Sequence, residues 1–136
     1  MHTRSIALLT AGLVLSATAV LAHHSFAAEF DQAKSITLTG VVTKVEWTNP
    51  HVHFYIDVKD ENGKIASWDL ETGSPNGLSR QGWTRSSLKV GDTVTVQAFR
   101  AKDGSNLASA GMVKLPDGRQ VFEGSGDAGS AGSKPN

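Results

Sequence analysis

The stretch His51 to Glu71, HVHFYIDVKDENGKIASWDLE, holds two alternating runs joined by a turn, and its register decides the fold. From His51 to Lys59, Val52, Phe54, Ile56 and Val58 point one way, and His51, His53, Tyr55 and Asp57 the other. A period of two marks a strand with one buried face. Asp60-Glu61-Asn62-Gly63-Lys64 then turns the chain. A three-residue loop, Glu61-Asn62-Gly63 with Gly63 left-handed, keeps the second run in phase with the first. It sets Val58 opposite Ala66, Ile56 opposite Trp68 and Phe54 opposite Leu70, all inward. A two-residue Asn-Gly loop would set Val58 against Ser67 and put core against solvent, so it is rejected. On the outer face the chosen register places Glu71 opposite His53 and Asp69 opposite Tyr55.

Upstream, Ile36 to Thr48 is rich in Val and Thr, with Gly40 as the expected place for a bulge or bend. Asn49-Pro50 ends it. Residues 23–34, HHSFAAEFDQAK, show no clean period and read as an arm or a short helical turn. Downstream, Ser74 to Gln81 has a Ser before a Pro, with Gly82 as a stop, and predicts one or two helical turns. Two further runs, Thr93–Arg100 and Leu107–Leu115, are separated by the turn Lys102-Asp103-Gly104-Ser105. Pro116-Asp117-Gly118 leads into a remnant strand, Arg119–Phe122, and a Gly/Ser-rich tail follows from Glu123.

Three strands, a helix and two strands is the order of the oligonucleotide/oligosaccharide-binding (OB) barrel. The expected fold is therefore all-β with one small helix: a five-stranded OB-like barrel, β-β-β-α-β-β, over residues 35–122. About five strands close better than they stack as a sandwich.

Residues 1–22, MHTRSIALLTAGLVLSATAVLA, have a basic start at Arg4, an apolar run, and small residues in Val20-Leu21-Ala22 where a signal peptidase would cut. The expectation is an exported, periplasmic or secreted protein beginning at His23, without a membrane anchor after cleavage. Such a chain has 114 residues and a net charge of −1, enough for one modest core. The absence of cysteine excludes disulfides, thiolate metal sites and a cysteine nucleophile. Balanced charge, 13 basic against 13 acidic residues, argues against a dedicated nucleic-acid binder.

Three blocks, HHSFAAEFD at 23–31, VEWTNPHVHF at 45–54 and LKVGDTVTV…AKDGS at 88–105, resemble an uncharacterised family of small exported bacterial proteins that carries a domain-of-unknown-function label. The resemblance covers nearly all of the chain after residue 22. It implies export and an OB-like barrel, and no activity.

Four of the five histidines fall in two doublets, His23-His24 and His51-x-His53. A chain starting at His23 offers a terminal amine and an imidazole to one ion. At that residue alone it resembles the histidine brace of copper oxygenases. Amine and imidazole nitrogens suit copper or zinc. The competing reading is a pair of solvated histidines on an arm. His51 and His53 share a strand face, with Glu71 expected as a third ligand or as an acceptor that orients a ring. A surface His–Glu pair, worth roughly 0.2–1 kcal/mol, is the plainer alternative.

OB barrels often bind over strands two and three, so Tyr55 and Asp69 join the candidate ligand face. Carboxylates there disfavour nucleic acid. Trp47 and Trp83 read as packing at the barrel ends. No nucleophile elbow, P-loop or dinucleotide fingerprint occurs, and a non-enzymatic binding module is expected. The alternatives are an interaction protein using the outer barrel face for a protein or glycan partner, without metal, and a brace-type copper oxidase.

Overall fold

In the computed structural model, residues 26–122 are described, and the hairpin is the element that fixes the rest. Strands β2 (His53–Lys59) and β3 (Ile65–Glu71) pair antiparallel in the register the alternation demands, with Ile56 opposite Trp68 and His53 opposite Glu71. Gly63 takes φ 82°, the left-handed value that the three-residue loop requires. Val52, Phe54, Ile56 and Leu70 are buried, and Trp68 is 8% exposed.

Strand β1 (Phe30–Glu46) pairs with β2 on one side and with β4 (Thr93–Ala101) on the other. β4 pairs with β5 (Leu107–Lys114), and β5 closes the ring through a parallel pairing with β3. Partners run from Glu46 through His53, Glu71, Ser109 and Phe99 to Ser35, eleven residues back along β1. That stagger is what a closed, tilted barrel needs. The fold is all-β and OB-like. A short β6 (Gln120–Phe122) adds to β5.

Helix α1 (Pro75–Arg80) lies between β3 and β4. The Gly77 N–H donates to the Ser74 hydroxyl oxygen at 3.1 Å, and Pro75 occupies the first turn, where its missing N–H costs nothing. Leu78 is fully buried and joins Trp83 and Leu88 in the barrel core. Trp47 is partly buried against the same core. Both tryptophans therefore pack as side chains of the fold.

Two boundaries differ from the sequence reading. β1 begins at Phe30 rather than near Ser35, although Phe30–Ala101 and Ser35–Phe99 are separated by a break in register that leaves residues 31–34 out of step. An interrupted pairing has no clean period to read. The bulge in β1 falls at Thr43, not Gly40: Val42 pairs with Ile56 and Lys44 with Tyr55. Gly40 is instead a point of close approach to β2. The expected signal segment and tail lie outside the described residues.

Candidate functional site

The bulge at Thr43 decides which side chains of β1 face outward. Val42 is buried, and strict alternation would bury Lys44 and Glu46 as well. One extra residue reverses the parity, so Val45 packs on the core while Lys44 and Glu46 stand outside beside Tyr55. The Tyr55 hydroxyl donates to Glu46 Oε2 at 2.9 Å. Lys44 pairs with Glu46, and its Nζ lies 5.2 Å from the centre of the Tyr55 ring.

Next along the face, His53 Nδ1 and Asp69 Oδ1 are 2.7 Å apart. His51 Nδ1 and Glu71 Oε1 are also 2.7 Å apart. His51 precedes β2, yet its position is fixed: the Val52 N–H donates to the Gly73 carbonyl, and Thr72 donates through both its N–H and its hydroxyl to the Val52 carbonyl. The pairing thus continues one step past both strands.

Each histidine takes the carboxylate diagonal to it, which for His53 means passing over the one directly opposite. His53 faces Glu71 in register but bonds Asp69, and Glu71 bonds His51. The diagonal neighbour at j−2 is within reach of long side chains, and strand twist favours one of the two diagonals. Glu71 therefore bonds His51 rather than His53. Among the described residues, no three His, Asp or Glu side chains converge to hold a metal ion. His23 and His24 lie outside the described residues.

The electrostatics follow from this packing. Burial first, and the Glu46 carboxylate second, push the Tyr55 phenol up to about 12, with Asp69 adding to the effect. Glu46 is lowered, by its hydrogen bond from Lys44 and then by the one from Tyr55. Burial raises Glu71, and repulsion from Glu29 adds to it, against the opposing pull of His51. Asp57 is engaged by the Ser67 hydroxyl. With Glu46, Asp57, Asp69 and Glu71 against Lys44 and Lys59, the face is acidic wherever its histidines are neutral.

Both imidazoles present Nδ1 to a carboxylate. An Nδ1–H that donates leaves the lone pair on Nε2, which is the arrangement found around metal-ligating histidines. The side chains of His51 and His53 are 44% and 27% exposed, so the pair is open to a ligand.

A family of unknown function, DUF6152, matches residues 11–110. The chain belongs to that family. No functionally curated protein matches this DUF6152 member. It is similar in shape to a crystal structure of the mitochondrial single-stranded DNA-binding protein Rim1 of S. cerevisiae, at TM-score 0.48 and 11% identity. That likeness covers 67% of this chain and 96% of the other. The barrel of this DUF6152 member rests on its own strand pairing.

Sequence alone finds both histidines, Tyr55, Asp69 and Glu71 on one face. It misses Lys44 as the partner of Glu46 and Tyr55, because the bulge position sets their side. It also misses Glu29, which lies near Glu71 only once the barrel has closed.

Proposed function

We propose that this protein is an exported, periplasmic binding module without enzymatic activity, and that its outer β2–β3 face takes a copper or zinc ion through the Nε2 atoms of His51 and His53. One observation carries the reading: each ring is held through Nδ1 by its own carboxylate, Glu71 or Asp69, at 2.7 Å. Such carboxylates fix the ring and raise the basicity of the free nitrogen. Imidazole nitrogen suits divalent copper and zinc. The leader-like residues 1–22 support export. The acidic face repels phosphates and argues against nucleic acid as the ligand.

Calorimetry with Cu(II) and Zn(II), on the exported chain and on its His51→Ala/His53→Ala variant, tests the reading. Binding that the double variant loses supports it. Binding that the variant keeps in full contradicts it.

A second reading is a partner-binding barrel without metal, which uses the same face for a protein or glycan. It is favoured by the lack of three convergent donors among the described residues. Undetectable metal binding by the wild-type chain would leave this reading in place.

A further inference from the structure

The barrel face brings two imidazoles together and no more. His51 and His53 are two residues apart on an extended segment, so their Cα atoms lie about 6.6 Å apart and both rings project from one face. Each ring gives Nδ1 to a carboxylate at 2.7 Å and keeps Nε2 for a ligand. Among the described residues, no further His, Asp or Glu converges with the pair to hold an ion. Glu71 and Asp69, which are close by, are engaged behind the rings. Zinc takes four donors in a tetrahedron. The chain therefore offers half of a zinc site, on side chains that are open to solvent.

Symmetry supplies the other half. A tetrahedron has two-fold axes that divide its four corners into two equivalent pairs. Two copies of a chain related by a two-fold axis present the same patch to each other. With the ion on that axis, each copy contributes one pair of nitrogens and the tetrahedron closes. Charge makes this contact conditional on the metal. Each face carries Glu46, Asp57, Asp69 and Glu71 against Lys44 and Lys59, so two bare faces repel while their imidazoles are neutral. A divalent cation between them offsets the repulsion. No apolar patch does the same work beside the pair. The large apolar side chains exposed among the described residues are Val41, Ile65 and Val90. Val41 lies opposite Asp57 and Ile65 opposite Lys59, further along β2 toward its hairpin turn.

We propose that one zinc ion joins two copies of this chain, held by the Nε2 atoms of His51 and His53 from each copy, and that without metal the chain is a monomer. The inference rests on the metal-binding reading above and names the partner that completes the site, a second copy. Zinc and the second copy then raise each other's affinity, as linked equilibria require. Zinc in large excess reverses the association, because each chain then holds an ion of its own and none is left to share.

Sedimentation equilibrium of the exported chain during a Zn(II) titration tests this, with the fold of each variant checked by circular dichroism. The mass should be that of one chain in chelator, double as zinc reaches half an equivalent, and fall back in large excess of zinc. His51→Ala/His53→Ala should stay monomeric throughout. His23→Ala/His24→Ala should dimerise as the wild type does, because a second copy and not the terminal doublet completes the site. Co(II) in place of zinc should develop the strong visible absorption of a tetrahedral ion, saturating at half an equivalent. One ion per chain with the mass unchanged would overturn the shared ion and leave a single-chain site on the face. A dimer that survives chelator or the loss of both barrel histidines would overturn it too. No zinc binding by the wild-type chain would overturn both this inference and the zinc reading on which it rests.

Discussion

Gly40 and Asp57 meet where β1 passes β2 so closely that a β-carbon on Gly40 would lie 2.5 Å from the Asp57 carbonyl oxygen. No side chain fits that gap. The contact is to backbone, which cannot swing aside as a flexible side chain would.

Gly40→Ala should therefore destabilise the barrel by about 1–3 kcal/mol, the usual cost of overpacking. Denaturant unfolding followed by tryptophan fluorescence measures it. A variant as stable as wild type would mean that the strands are further apart than described.

Tyr55 is the single tyrosine of the chain, so phenolate absorbance reports it alone. The folded protein should titrate near 12, and the urea-unfolded chain near the ordinary value of about 10. A phenol raised on folding contributes stability that is complete below pH 10 and is lost as pH rises toward 12. Glu46→Gln removes the second cause and should bring the folded midpoint down. A folded midpoint already at 10 would show that the hydroxyl is not held as described.

The hairpin was legible in the sequence because its inward and outward residues alternate without interruption and Gly63 fixes the loop. The outer face that carries His51, His53, Tyr55, Asp69 and Glu71 was legible for the same reason. What escaped depends on distant chain. The bulge at Thr43 is set by how β1 lies on β2, and local composition favours Gly40 equally well. The entry of Phe30 into β1 depends on Ala101, seventy-one residues away. The diagonal choice of carboxylate by each histidine comes from strand twist, which register alone does not contain.

Glu71 offers a pH test. Burial raises it in the folded state, so its contribution to stability is present below the unfolded value near 4.5 and is lost as pH rises through the raised folded value. Wild type should therefore gain on Glu71→Gln as pH falls from 7 toward 4, read as the difference in melting temperature across that range. A difference constant with pH would contradict the raised carboxyl.

Asp69→Asn and Glu71→Gln leave every proposed ligand nitrogen in place and remove only the charged acceptors behind the rings. Each should weaken Zn(II) binding by about 10–100-fold, with the fold retained. Variants that bind as tightly as wild type would separate the carboxylates from the metal site.

Imidazole nitrogen NMR during a Zn(II) titration tests the central claim most directly. The account predicts that His51 and His53 both carry their proton on Nδ1 in the free protein, and that Zn(II) shifts both Nε2 resonances together. Rings protonated on Nε2, or Nε2 resonances that Zn(II) leaves unmoved, would contradict it.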